Sequence, residues 1–258
     1  MKYSKAFYDS VTSRAALAAD MASEHLCRAI NFRSIIDIGC GEGIWLKTFA
    51  EKSSAAELVA VDLPGSTFKG LASIKSKIEC IATDLANTTQ LPNRIFDLVI
   101  CVEVIEHVSK EYMVALLDYV TKHSIFLLFS GAVPGQGGTH HVNEQPMTYW
   151  HKQLASRGFV QMDIVRPLLM QQNGVPFYYQ NNVFLYFNPD AHGLKELSID
   201  WPVLLSASMI CARDIRSRGQ RILNFTVRWF PAVVVTKGVE LKDKLTSGTL
   251  LRMIYRKD

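Results

Sequence analysis

Between Ser34 and Ser130 short apolar strings alternate with amphipathic stretches, and this alternation restricts the fold more than any other feature of the sequence. The strings SIIDIG, ELVAVD, KIECIATD, FDLVICVEV and SIFLLFS are each bounded by turn residues, with helical spacing expected at 44–52, 68–76 and 110–121. Strand followed by helix, repeated, predicts a parallel sheet covered on both faces. Apolar positions at helical spacing over 4–30, with no proline or glycine between them, predict a leading helix. Beyond the alternating region a short helix is expected at 147–157, then two strands at 158–165 and 183–187 that read as a closing antiparallel pair. From Trp201 to Asp258 the chain reads as one or two helices with arginine on the polar face.

The first string runs into Gly39-Cys40-Gly41-Glu42-Gly43, three glycines set two apart before a helix. A dinucleotide fingerprint needs its third glycine one residue later, where Ile44 stands, and no Gly-Lys-Ser/Thr follows to reach a terminal phosphate. Nicotinamide and nucleoside-triphosphate readings are thereby weakened. Asp62, closing the second string, is placed to accept from both ribose hydroxyls of a nucleoside. Asp84, closing the third, is placed to accept from an adenine amino group, with Leu63 and Leu85 sandwiching the ring. Asp37, just before the glycines, suits a cation and repels a pyrophosphate. A positively charged nucleoside satisfies all three acids.

At this point the chain resembles the class I S-adenosylmethionine-dependent methyltransferases, on IIDIGCGEG, VAVD, IATDLAN and FDLVICVEVIEHV in the usual order. The resemblance spans roughly residues 30–190. It implies a doubly wound, mostly parallel, Rossmann-like sheet of seven strands with one antiparallel strand inserted. Together with the leading helix and the tail read above, this divides the chain into an N-terminal capping helix (1–30), a cofactor-binding domain (31–190) and a C-terminal basic helical extension (191–258). Carried over residue by residue, the resemblance assigns S-adenosylmethionine to Gly39, Cys40, Gly41 and Gly43, to Asp62 with Leu63 and to Asp84 with Leu85; Asp37, by its charge, and Glu103, after the fourth strand, are further cofactor-binding candidates.

Methyl transfer from a sulfonium is an in-line displacement, and a hydroxyl acceptor must also lose a proton. The loop GAVPGQGGTHHVNEQP at 131–146 is long for a simple connection and follows the fifth strand, at the edge where open α/β sheets bind ligands. It offers His141 as first choice of base and His140 as second, since histidine titrates near neutrality. Glu144 is placed to fix the imidazole tautomer, and Asn143 to contact substrate or cofactor. The string GGTHHVNEQPMTYW is similar to segments of bacterial methyltransferases acting on sugars and other polar small molecules or glycans, and Tyr149 with Trp150 is a candidate stacking platform. The expected acceptor is therefore a hydroxyl of a polar small molecule, sugar or glycan.

Two rival readings accompany this one. Glu103, Glu106 and His107 resemble the metal-binding segment of methyltransferases that modify the 2′-hydroxyl at RNA ends, where a later histidine completes the site; the reading preferred here assigns no metal. The other rival is a cofactor-binding partner subunit without catalysis, although the glycines, both nucleoside acids and a plausible base are all kept.

The net charge of +4 conceals an asymmetry, because eleven basic residues face four acidic ones from Pro202 onward. The remainder is mildly acidic, so a nucleic-acid partner is not expected, and the basic tail is a candidate contact for an anionic membrane surface or a second copy of the chain. The five cysteines are scattered among apolar strings and read as small core residues rather than disulfides or a zinc site. No run of about eighteen apolar residues occurs and the start, MKYSKAFYDSVTSR, is too polar for a signal h-region. A cytoplasmic location is expected, with the inner membrane surface as the place the tail would reach.

Overall fold

A computed structural model describes residues 5–66, 68–74, 78–170 and 172–208. The elements run α1 (Lys5–Ala29), β1 (Ser34–Ile38), α2 (Ile44–Lys52), β2 (Glu57–Asp62), β3 (Ile78–Ala82), β4 (Phe96–Cys101), α3 (Lys110–Lys122), β5 (Ser124–Phe129), α4 (Met147–Ala155), β6 (Val160–Met162), α5 (Arg166–Leu169), α6 (Phe177–Asn182) and β7 (Phe184–Phe187). They build one seven-stranded sheet in the order β3-β2-β1-β4-β5-β7-β6. The first five strands are parallel, and β7 inserts antiparallel to both β5 and β6. The strand order reverses between β1 and β4, the point at which an open α/β sheet forms a ligand crevice beyond its carboxyl edge.

Burial explains the order. Every residue of β1, β4 and β5 is buried, which suits central strands covered on both faces, whereas β3 is largely exposed and lies at the edge. Alternation along β1 divides the core: Ile35 faces the layer that includes α1, α2 and α6, while Ile36 and Ile38 face the layer of α3 and α4. Helix α1 presents Ala15, Ala18, Ala19, Ala22 and Leu26 as one buried stripe and packs mainly on α2. Small residues on such a stripe let two helices approach closely. Phe32 sits fully buried beneath this layer, edge-on to Phe49 and Phe126 at 6.2 Å from each. Burying such a ring contributes about 1.5–3 kcal/mol.

The chain returns to α1 after β7. Ile199 forms an antiparallel bridge with Ile30, residues 201–208 are helical, and the buried His25 ring places Nε2 at 2.9 Å from the Leu204 carbonyl oxygen. The basic cluster from Arg213 onward and Cys211 lie outside the described residues. No helix among the described residues is long and apolar enough to cross a membrane.

Among the described residues of the helix expected at 68–76, the chain forms a 3-10 turn, Lys69–Leu71, and the rest of that stretch up to residue 74 is not helical. The glycine turn packs closely against this 3-10 turn: a Cβ on Gly70 would lie 2.0 Å from the backbone oxygen of Glu42, so only glycine fits at that position. Strand β3 ends at Ala82, two residues before Asp84, and the strand expected at 158–165 shortens to Val160–Met162. Ile164 and Val165 are instead buried as the chain turns into α5, and α5 and α6 fill a stretch for which no helix was read. Of the cysteines, Cys40 and Cys101 are buried as expected, Cys27 is half-buried and Cys80 is exposed on β3.

Candidate active site

Beyond the carboxyl ends of β1, β2 and β4 lies a cleft lined by the glycine turn (Gly39, Cys40, Gly41, Glu42), by Asp62, Leu63, Asp84 and Leu85, and by Val102, Glu103, Val104 and His107. Ala15 of α1 and Tyr179 of α6 form its far wall, and Tyr179 packs edge-on to Trp45 at 5.8 Å. The turn is fastened to β2 by Gly39 and Cys40 N–H groups donating to the Val61 oxygen at 2.8 and 2.9 Å. Gly39, Gly41 and Gly43 all have left-handed φ, of 71°, 57° and 83°. At Gly39 a side chain is excluded twice over, because its Cβ would also meet Val104 Cγ2 at 2.6 Å.

The three acids read from the sequence divide by position. Asp62 accepts from the N–H of Gly41 and, at 2.6 Å, from that of Leu63, so its carboxylate sits at the lip of the turn. Asp84 accepts from Ala86 N–H at 2.9 Å in a local turn on the cleft wall. Asp37 is buried below the cleft and accepts from Leu46 N–H at 3.2 Å, which anchors the start of α2. Burial pushes the Asp37 carboxyl well above the usual range.

Glu103 occupies the β4 end of the cleft with φ +55°, a left-handed conformation that costs a non-glycine residue about 1–3 kcal/mol. Ser130, Gln136 and Asn182 hold it there. Glu103 N–H donates to Ser130 Oγ at 2.9 Å, Ser130 returns a bond to Oε1 at 2.7 Å, and Gln136 Nε2 donates to Oε2 at 2.7 Å. Asn182 Nδ2, on α6, donates to Gln136 Oε1 at 2.8 Å. Burial raises the Glu103 carboxyl, while the bonds from Ser130 and Gln136 and the His141 charge act the other way.

The loop at 131–146 brings its histidine and acid together. His141 Nδ1 lies 2.8 Å from Glu144 Oε1, and Glu144 Oε2 accepts from Gly135 N–H at 3.0 Å. The His141 and His107 rings meet edge-on at 4.9 Å, so His107 lines the cleft and His141 stands against it. Burial, with the His141 charge second, lowers His107 to about 4. His140 is exposed, with φ +64°, and contributes a backbone hydrogen bond to His107. Asn143 is buried, its N–H donating to the Glu106 carbonyl oxygen at 3.0 Å. Trp150 is fully buried against Phe129, which removes it from any stacking platform; Tyr149 is half-buried beside it.

The strand order, the glycine turn at the reversal and the acids after β2 and β3 coincide with the span of a family model: the methyltransferase domain model matches residues 35–123. Over residues 35–123 the chain is similar to methyltransferase domains, and its sheet has the Rossmann-like order of the class I methyltransferase fold. Solved structures similar to this fold cover more of the chain than the family model does. An O-methyltransferase family protein from Burkholderia thailandensis aligns at a TM-score of 0.55 and 13% identity, over 71% of this chain and 58% of that one. The mitomycin 7-O-methyltransferase aligns at 0.52 and 11% identity, over 70% and 56% of the two chains. The plantazolicin methyltransferase, solved with a monoazolic desmethyl analogue and SAH, aligns at 0.50 and 14% identity, over 71% and 88%. The chain thus spans less than two thirds of the length of the first two of these. No curated protein sequence matches it.

Within the methyltransferase domain, Glu106 stands out. It is fully buried, neither carboxylate oxygen has a hydrogen-bonding partner at ordinary geometry, and Oε1 lies 4.0 Å from His141 Nε2. Burial, and Glu103 after it, push this carboxyl well above the usual range, while the backbone N–H groups of Glu106 and Ala132, too poorly aligned to count as ordinary hydrogen bonds, act the other way. One ligand atom each from Glu106, His107 and His141 lies within 4.8 Å of the others, close enough to share a metal ion. Ser130, Gln136, Asn182, Tyr179 and Ala15 were not singled out by sequence reasoning. Ala15 and Tyr179 line the cleft, and Ser130, Gln136 and Asn182 hold Glu103 from elements distant in the chain; no local pattern marks any of them.

Proposed function

We propose that this methyltransferase transfers the methyl group of S-adenosylmethionine to a hydroxyl of a polar small molecule, sugar or glycan, with His141 as general base. The observation that carries the reading is the His141–Glu144 pair beside a cleft whose lining, among the described residues, includes Glu42, Asp62, Asp84 and Glu103 and neither lysine nor arginine. Such a lining favours a cation and disfavours a phosphate. Asp62 would hold the ribose, Leu63 and Leu85 the base, and the glycine turn the portion between nucleoside and sulfur. Bound there, S-adenosylmethionine supplies an electrophilic methyl group on a sulfonium. Glu144 accepts from Nδ1–H of His141 and so leaves the lone pair on Nε2, the nitrogen that takes the acceptor's proton.

The O-methyltransferase descriptions of the Burkholderia and mitomycin proteins agree with an oxygen acceptor. The test is calorimetric titration with S-adenosylhomocysteine, followed by an acceptor screen that begins with nucleotide sugars. Absence of cofactor binding would sink the whole reading; binding without turnover of any acceptor would favour the non-catalytic partner subunit. A second reading rests on the orphaned Glu106 oxygens: a divalent cation on Glu106, His107 and His141 would lower the pKa of a bound hydroxyl. Loss of turnover in EDTA, restored by Mg²⁺ or Zn²⁺, would select it over the metal-free base.

A further inference from the structure

The sheet order fixes the direction in which a nucleoside cofactor must lie. Asp84 follows β3 and Asp62 closes β2, so a ligand with its base and ribose on these acids crosses the glycine turn of β1 and ends at β4. The side chain waiting there is Glu103, and an ammonium group is what a carboxylate at that end recognises. Two of its lone-pair positions are already taken by Ser130 and Gln136 at 2.7 Å, which sets the plane of the carboxylate and leaves its other lone pairs for a ligand.

Gln136 differs from Ser130 in what else it touches. Its Oε1 accepts from Asn182 Nδ2 on α6 at 2.8 Å and from Val133 N–H at 3.3 Å, so its one carboxamide bonds to the sheet edge, the loop and α6. The adjacent Gly135 N–H is bonded to Glu144, the partner of His141. A shift of Gln136 therefore disturbs Glu103 on one side and the His141–Glu144 pair on the other.

We propose that Gln136 is a positioning residue that sets Glu103 against the amino-acid end of the cofactor and, through the same bonds, seats the loop carrying His141. This rests on the S-adenosylmethionine reading above. The inference separates from that reading by comparing two ligands on the full chain: S-adenosylhomocysteine, and 5′-methylthioadenosine, which has the nucleoside and sulfur but no amino-acid end. The variants are Gln136→Met, which keeps the volume and removes the bonds, and Asn182→Ala, which removes only the α6 tie.

Wild type is expected to prefer S-adenosylhomocysteine. Gln136→Met is expected to lose about tenfold in affinity for it, and Asn182→Ala a smaller factor, with 5′-methylthioadenosine binding as in wild type. Turnover should fall in the same order. Equal loss of both ligands, or no loss of either, would overturn the positioning role. Wild type binding both ligands equally would leave the cofactor reading standing and remove the part given to Glu103; wild type binding neither would overturn both. If Gln136→Met does not fold, the Asn182→Ala ligand ratio decides alone.

Discussion

His141 Nδ1 is bonded to Glu144 Oε1 at 2.8 Å while its ring stands edge-on against His107, one imidazole behind the cleft wall. A base held in one tautomer by an acid has a separable signature. His141→Ala should leave S-adenosylhomocysteine affinity unchanged and lower turnover by roughly a hundredfold or more. Glu144→Gln should lower it by roughly tenfold. Calorimetry paired with steady-state rates checks both, and undiminished turnover in His141→Ala would remove the base.

Asp62 should behave in the opposite way. Two hydroxyl bonds to a carboxylate contribute about 3 kcal/mol or more together, so Asp62→Ala is expected to weaken S-adenosylhomocysteine by at least about a hundredfold. Circular dichroism would establish that the loss is not one of fold, since Asp62 also accepts from Gly41 and Leu63. Near-equal binding by the variant would refute the ribose assignment.

Gly39→Ala adds a Cβ at a left-handed φ of 71°, 2.6 Å from Val104 Cγ2. Strain and overpacking together should cost about 2–4 kcal/mol. A thermal melt should show a fall of about 2–4 °C for each kcal/mol, and cofactor affinity should drop with it. An unshifted melting temperature would show that the turn yields more easily than its geometry implies.

Acid should act on stability partly through His151, which lies on α4 against the buried Tyr186 hydroxyl. Burial lowers this imidazole to about 4, and the Arg166 charge acts in the same sense. Unfolded, it takes its proton near the ordinary 6.5. Between these values the unfolded chain binds more protons, so stability present above the unfolded value is lost as pH falls toward about 4. Asp37 and Glu106, raised by burial, act in the opposite sense, so the informative measurement is a difference. The melting temperature of wild type minus that of His151→Gln should rise with pH across that window.

What could be read from the sequence was set by local pattern. Helices 44–52 and 110–122 and the strands beside them announce themselves because periodicity and turn residues agree at each boundary. The region 68–76 misled because its apolar spacing suited a helix, while the group that stands against Gly70 there is the backbone of Glu42, nearly thirty residues away. The candidate site divides similarly. Gly39, Asp62 and Asp84 carry local signatures, being a turn and two acids after apolar strings. Gln136 and Asn182 carry none, since an amide in a loop and another at a helix end acquire meaning only when folding places them 2.8 Å apart.

The antiparallel bridge between Ile30 and Ile199 has a partner in each direction: Asn31 N–H donates to the Ser198 oxygen at 3.0 Å and Asp200 N–H to the Ala29 oxygen at 2.7 Å. These bonds fasten the returning chain to the helix whose Ala15 forms part of the cleft wall. The return is a latch on the chamber, although none of these latch residues lines it. A substitution that loosens residues 198–204 therefore removes a support of the helix that walls the cleft without touching any residue that lines it.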